Sequence, residues 1–183
     1  MICLVACAIA GLGGRWWLLV QGMARRLSLG AVLLAMLLSI AAAVGLAATA
    51  GGTMALTLRG PGMLLFLALA LLSAGAGLCW PAKPVGQKTL DSARGPISAT
   101  ILLLAAMVSD SAPFIILAES ARTGTPILAG LGALIGLIAA GGSAISLDDA
   151  VVPLRLINRV RAGIGILFLI IGAIAALSAL QLL

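Results

Sequence analysis

Six apolar runs, each close to 20 residues long, follow one another along this chain with only short polar loops between them. About 20 apolar residues in helical form are needed to cross a bilayer. Because 63% of the residues are hydrophobic and 9% are charged, the composition is typical of a membrane protein. The predicted fold class is all-α, a polytopic membrane protein with six transmembrane helices from Ile2 to Met23, Leu27 to Ala48, Pro61 to Trp80, Pro96 to Glu119, Pro126 to Ile145 and Ala162 to Leu183.

The basic residues are concentrated in alternate loops. Eight lie between spans one and two, three and four, or five and six, and two lie in the other loops. Since basic loops stay cytoplasmic, we expect a multi-pass cell (inner) membrane protein with both termini outside. The charges occupy separate loops, so the lipid bilayer and not nucleic acid is the expected partner. The inner set is Arg25, Arg26, Lys83, Lys88, Arg94, Arg155, Arg159 and Arg161, and the outer set is Arg59 and Arg122.

The two halves of the chain resemble each other. Arg59 precedes Leu65-Phe66-Leu67 by the same spacing at which Arg161 precedes Leu167-Phe168-Leu169. We therefore predict two three-helix repeats, residues 1–80 and 96–183, joined by a cytoplasmic linker at 81–95. An odd number of spans in each copy inverts the second copy in the membrane. Inverted repeats with a site near the bilayer midplane are a transporter architecture.

One acid lies inside the fourth apolar run, in the stretch Met107 to Phe114. Asp110 is about 13 Å from the nearer end of its predicted span, and an ionisable group at that depth is a functional-site hypothesis by default. Ser109 and Ser111 flank it, and Pro113 frees a backbone carbonyl. These oxygens predict a cation-binding set of Asp110, Ser109 and Ser111, with Asp110 as the metal ligand. The alternative is a helix kink with a buried, protonated or hydrogen-bonded aspartate.

A cation lies at comparable depth in the first apolar run. Arg15 is about 12 Å from the cytoplasmic end of that span, and guanidinium stays charged there. We predict an ion pair between Arg15 and Asp110 at the interface of the two halves. The alternative is that Arg15 extends past Trp16 and Trp17, which would anchor it at the membrane surface. Glu119 lies on the opposite helix face from Asp110 and is a second candidate for an ion pair or for gating.

The remaining residues give few signs of chemistry. The chain has no histidine, no paired acids and no nucleophile–base set, so we expect neither an enzyme nor a cofactor. Asp148 and Asp149 are expected to cap or solvate the last basic loop, where a short interfacial helix has room to form. Gly132 and Gly136 form a G-x-x-x-G pair, which indicates either close packing within one chain or a homodimer interface.

The stretch that contains Arg15 and the stretch that contains Asp110 both resemble the Gdt-type family of six-span cation/proton exchangers. That family carries the motif E-x-G-D-[KR]-[ST]-Q in its first and fourth spans. In the first copy here, Gly13 and Arg15 match, while Gly11 and Gly14 stand at the two acid positions. In the second copy, from Met107 to Pro113, the acid at Asp110 matches. The resemblance covers nearly the whole chain in layout, with divergent motifs.

The resemblance implies an antiporter that exchanges manganese or calcium for protons, with Asp110 as the cation- or proton-linked group. Family members are thought to coordinate the cation with four motif carboxylates, of which one remains here. One carboxylate beside an arginine is a poor divalent site. Two alternatives follow: a transport-inactive scaffold or regulatory membrane protein, and a small-metabolite exporter of a related fold in which Arg15 meets a substrate carboxylate.

Overall fold

A computed structural model describes residues 2–58, 60–80, 85–93, 95–146 and 154–180. Every regular element in these ranges is a helix, so the described chain is all-α. In chain order the helices are α1 (Ile2–Gly11), α2 (Arg15–Ala24), α3 (Leu29–Thr57), α4 (Pro61–Cys79), α5 (Gln87–Asp91), α6 (Pro96–Val108), α7 (Ala112–Thr123), α8 (Pro126–Ser146) and α9 (Leu154–Ala179).

Two of the predicted spans are broken in the middle. The pairs α1–α2 and α6–α7 each bend by 63°. Gly13 adopts a φ of 66° between α1 and α2, which is the left-handed region that glycine enters without strain. Pro113 lies in the first turn of α7 and has no N–H to donate to the carbonyl four residues earlier, so the helix cannot run on through Asp110.

The helices identify a multi-pass membrane protein. Four of them are long and apolar enough to cross a membrane, or up to six spans exist if each bent pair counts as one, within the described residues. Leucine and isoleucine side chains on the outward faces are more than half exposed, as expected for surfaces that meet lipid. They include Leu34, Leu38 and Leu46 on α3, Ile127, Leu128 and Ile135 on α8, and Ile166, Leu167 and Ile170 on α9.

The observed helices correct several predicted boundaries. The third and fifth spans agree closely with α4 and α8, whereas α3 runs about nine residues past the predicted end at Ala48. The last span was predicted to begin at Ala162, but α9 begins at Leu154. This error matters because it left Arg161 in a loop, whereas it lies within a helix. The segment with Asp148 and Asp149, including most of the predicted interfacial helix, lies outside the described residues.

The helices pack in pairs across the two halves of the chain. Helix α4 lies along α9, α1 lies against α8, and α3 contacts α6, α7 and α8. Small residues permit these close approaches: a Cβ built on Gly75 would come within 2.8 Å of the carbonyl oxygen of Gly165. Gly132 and Gly136 both face Leu4 on α1. The intrachain alternative for the G-x-x-x-G pair is therefore the one observed.

We expect Gly136→Ala to destabilise the fold, because a Cβ there would overlap the Leu4 carbonyl oxygen, which is backbone. Overpacking of this kind costs roughly 1–3 kcal/mol. Gly142→Ala on the same helix is the matched control, since a Cβ there meets open space. Thermal melting of both variants in detergent measures the difference. Equal melting temperatures would contradict the close α1–α8 contact.

Candidate functional site

Asp110 lies in the break between α6 and α7 and is buried, with 7% of its side chain exposed. Its Oδ1 accepts hydrogen bonds from the backbone N–H of Ser111 at 2.8 Å and from the Ser111 hydroxyl at 3.3 Å. Ser111 is the N-cap of α7, so the carboxylate lies at the helix N-terminus, where free N–H groups and the helix dipole favour an anion.

The two serines that flank Asp110 differ. Ser111 is fully buried and bonded to the carboxylate. Ser109 is exposed and donates its hydroxyl back to the Ala105 carbonyl at 2.8 Å. Of the predicted set of Asp110, Ser109 and Ser111, the structure brings two together and directs the third away.

Arg161 on α9 is the cation that meets Asp110. Its side chain is 4% exposed, and its Nη2 lies 3.6 Å from Asp110 Oδ1. Its Nη1 donates to the carbonyls of Leu12 at 2.8 Å and Ala10 at 3.3 Å. These carbonyls belong to the C-terminal end of α1, where the helix leaves acceptors unsatisfied and its dipole favours a cation. One guanidinium thus joins the break between α1 and α2 to the break between α6 and α7.

Gly14 forms the remaining wall of the site. A Cβ on this residue would overlap Asp110 Oδ2 and come within 2.9 Å of Arg161 Nη1. Gly14 stands at an acid position of the first motif copy and Asp110 at the acid position of the second. The prediction that the two stretches meet is therefore confirmed, with the contact made by a glycine and an aspartate.

The predicted partner of Asp110 was wrong. Arg15 is exposed at the first residue of α2, and among the described residues the cation paired with Asp110 is Arg161. The anchoring alternative for Trp16 and Trp17 was wrong too. Both indoles are buried, and Trp17 Nε1 donates to the Ser143 hydroxyl at 3.1 Å.

Glu119 belongs to a separate site. Its carboxylate accepts bonds from Arg122 Nε at 3.0 Å and Nη2 at 2.9 Å, so it forms an ion pair one helical turn apart. Both side chains line a cavity of about 280 Å³ that is otherwise mostly apolar. The other lining residues are Cys3, Ala6, Leu67, Leu71, Ile115, Ala118 and Phe168.

The donor set fits a divalent metal poorly. Among the described residues there is no group of three or more histidine, cysteine, aspartate or glutamate side chains. The carbonyl oxygens of Ala10 and Leu12, which contact the same guanidinium as Asp110, already accept from Arg161. A positive charge is thus built into the place where a cation would bind.

Arg161 does not use all its donors. Its Nε–H is buried without a partner among the described residues, while Nη1 is occupied by two carbonyls. The Oδ1 atom of Asn158, one turn earlier on α9, is also buried without a partner. Burying a polar group unpaired is costly, so such atoms indicate a place where something else binds.

The sequence reasoning missed Arg161 because it was counted among the loop charges. A signal was present, since Pro153 is the last proline before the final apolar run and no glycine lies between it and Arg161. A helix that starts directly after Pro153 carries Arg161 two turns inward. Its pairing with Asp110 had no local signal, because the two residues lie on different helices.

The fold and the site define a class of molecule: a multi-pass membrane protein with two sharply bent helix pairs and a buried ion pair at their breaks. Comparisons with protein-family models, with curated proteins and with solved structures find no match for the chain.

Proposed function

We propose that this protein is a secondary transporter whose charge-carrying centre is the Asp110–Arg161 pair. The main observation behind this proposal is that one buried guanidinium, that of Arg161, contacts both the α1 carbonyls and the carboxylate at the start of α7. Discontinuous helices whose ends provide charged and polar groups near the bilayer midplane are the usual form of a transporter binding site. An ion pair buried there is costly and weak evidence for stability, which favours a functional role.

We also propose that the two halves form an inverted repeat, which would fit a transporter. In this arrangement the unit α1–α2, α3 and α4 corresponds to α6–α7, α8 and α9, on either side of the linker at 81–95. The two broken spans have equal bends. The contacts also occur in exchanged pairs: α1 with α8 and α6 with α3, and α2 with α8 and α7 with α3. Relative motion of the two units would expose the centre to each side in turn.

Asp110 is the proton-linked group in this scheme. As long as it is ionised, it and Arg161 neutralise each other in a low-dielectric interior. Protonation removes one charge of the pair and releases the guanidinium for another partner. A cycle of pairing and release can couple a proton gradient to movement of a solute. The manganese or calcium cargo implied by the family resemblance stays a prediction, and the built-in cation argues against it.

The orientation proposed from the basic loops stays the same, and only the number of basic residues counted on the inner side changes. With Arg161 buried in the bundle, seven of the eight inner charges remain against two in the other loops, and two of the seven, Arg155 and Arg159, lie in the first two turns of α9. The bias still favours a cell membrane protein with cytoplasmic basic loops and both termini outside. One surface ion pair, between Arg26 and Asp91, joins two of the proposed cytoplasmic loops.

A scaffold without transport is the second candidate. Arg161 ties the two breaks together through two carbonyls and a carboxylate, and a permanent tie would lock the bundle. In that case the centre would only hold the two halves in register.

Proton flux into liposomes distinguishes the two candidates. Purified protein is reconstituted with a pH-sensitive dye inside, and gradients of Mn²⁺, Ca²⁺, glycine or lactate are applied in turn. We expect at least one solute to drive proton movement above that of protein-free liposomes. Asp110→Asn should lower that flux at least tenfold, whereas Asp91→Asn, which changes an exposed acid, should retain it.

Each result decides between the candidates. A folded protein that moves none of these solutes with protons would favour the scaffold. Flux that survives Asp110→Asn at the wild-type rate would show that the coupling group lies elsewhere.

A further inference from the structure

We infer that the Nη2–Nε edge of Arg161 binds the carboxylate of a small monocarboxylate substrate, and that Asp110 occupies this edge in the substrate-free state. This inference rests on the proposed transport function and names its substrate class. The substrate anion would take the guanidinium when Asp110 accepts a proton and withdraws. Anion and proton would then move together.

The donors of Arg161 identify the edge. A guanidinium has five N–H groups in a fixed fork, and a carboxylate binds two of them side by side. Here Nη1 is held by the Ala10 and Leu12 carbonyls, which fix the orientation of the head group. Nε has no hydrogen-bond partner in the part of the chain that the structure describes. Nη2 faces Asp110 at 3.6 Å, longer than a hydrogen bond, so the carboxylate of Asp110 engages the fork incompletely.

The charge of the centre is the second argument. With Asp110 ionised and Arg161 charged, the pair is neutral. With Asp110 protonated and a monovalent anion on Arg161, the centre is neutral again. A divalent cation added to the ionised pair would instead place two uncompensated charges in a low-dielectric site, which is costly. A proton with a monoanion is thus the cargo that keeps the centre neutral when empty and when loaded.

The helices around Asp110 leave Arg161 as its charged neighbour among the described residues. Helices α3 and α8 carry no charged or titratable side chain. The other titratable groups on these helices whose side chains the structure describes are engaged elsewhere or exposed: Arg15 on α2 and Arg159 on α9 are exposed, Glu119 and Arg122 on α7 pair with each other, Cys79 on α4 donates to Ala162, and Cys3 and Cys7 on α1 contact each other. Protonation of Asp110 is therefore the event that changes the charge facing Arg161.

The space at the site limits the substrate to a small acid. Gly14 closes one side so tightly that even a methyl group would overlap the Asp110 carboxylate. Ser111 is fully buried and closes another, and a Cβ on Gly77 would lie 3.4 Å from its side chain. A carboxylate that replaces that of Asp110 must be about the size of acetate or glycine.

Binding of acetate to the detergent-solubilised full chain tests the inference without any need for transport. Calorimetric titration with sodium acetate is run at pH 5.5 and pH 7.5, with sodium chloride at equal ionic strength and methylammonium chloride as a cation of similar size. We expect the wild-type affinity for acetate to be at least tenfold higher at pH 5.5. Asp110→Asn should bind acetate with the same affinity at both pH values, because the side chain that competes with acetate for Arg161 then carries no charge.

The control variants separate binding from folding. Asp110→Asn/Arg161→Gln removes both charges and leaves a polar side chain at each position, and it should lose acetate binding while it elutes as a monodisperse species. Asp91→Asn should behave as the wild type. If Asp110→Asn alone does not fold, the wild-type pH dependence against chloride and methylammonium decides.

Two results would overturn the inference: wild-type affinity for acetate that is equal at both pH values, or methylammonium binding that exceeds acetate binding. Failure here and failure of the proposed function are distinguishable. Acetate binding without proton flux would leave the substrate class in place and reject transport. Flux driven by Mn²⁺ or Ca²⁺ without acetate binding would retain transport and reject the carboxylate.

Discussion

Arg161→Gln is expected to lower the free energy of unfolding by about 3–5 kcal/mol, the range for removal of one partner from a buried ion pair. The loss leaves the carboxyl group of Asp110, with 7% of its side chain exposed, without its cation. It also deprives the Ala10 and Leu12 carbonyls, at the end of α1, of their donor. Stability is measured by denaturant or thermal unfolding of the protein in detergent at pH 7.5.

The double variant Asp110→Asn/Arg161→Gln shows whether the pair is the cause. Replacing both charges removes the uncompensated carboxylate, so the double variant should be more stable than Arg161→Gln alone. Arg159→Gln is the matched control, since this arginine lies two residues earlier on α9 and is exposed. Additive effects of the two single changes would mean that Asp110 and Arg161 do not interact.

Arg15 provides the contrast with the sequence-based prediction. Had Arg15 been the partner of Asp110, Arg15→Gln would destabilise the protein as strongly as Arg161→Gln. Because Arg15 is exposed, its replacement should change stability by less than roughly 0.5 kcal/mol, the usual range for a surface substitution. If Arg15→Gln lowered the free energy of unfolding by several kcal/mol, the predicted ion pair between Arg15 and Asp110 would be supported instead.

Gly14→Ala is expected to produce the second large effect. The new methyl group would overlap Asp110 Oδ2 and press on Arg161 Nη1, so the ion pair must move or the α1–α2 break must open. Gly14 has an ordinary φ of −72°, so the cost arises from contact and not from backbone strain. Overpacking costs roughly 1–3 kcal/mol, and displacement of a buried carboxylate from its cation adds to it.

Gly45→Ala is the control for Gly14→Ala. A Cβ on Gly45 meets open space within α3, and alanine favours a helix more than glycine does, so this variant should be neutral or slightly more stable. Asp110→Ala should cost less stability in the Gly14→Ala background than in the wild type, because the overlap between the new methyl group and the carboxylate is then relieved. If Gly14→Ala melts at the wild-type temperature, the two breaks are not in contact.

The chain's own pattern determined the membrane class and the number of apolar segments. Long runs of leucine, alanine and isoleucine reach the length of a bilayer, and this length is a local property that needs no knowledge of the fold. Proline and glycine also act locally. Pro61, Pro96 and Pro126 each stand at the observed start of a helix, as predicted. Asp110 was identified as the central acid because any ionisable residue inside an apolar run is conspicuous.

The identity of the residue that pairs with Asp110 was decided by the tertiary structure alone. Arg15 and Arg161 are both arginines near an apolar segment, and sequence distance does not say which of them turns inward. The 63° break before Arg15 turns α2 so that its first residue faces out, while α9 starts early enough to carry Arg161 into the bundle. A charge becomes buried only through the packing of several helices around it, and that packing depends on small residues such as Gly14 and Gly136, whose contacts lie far away along the chain.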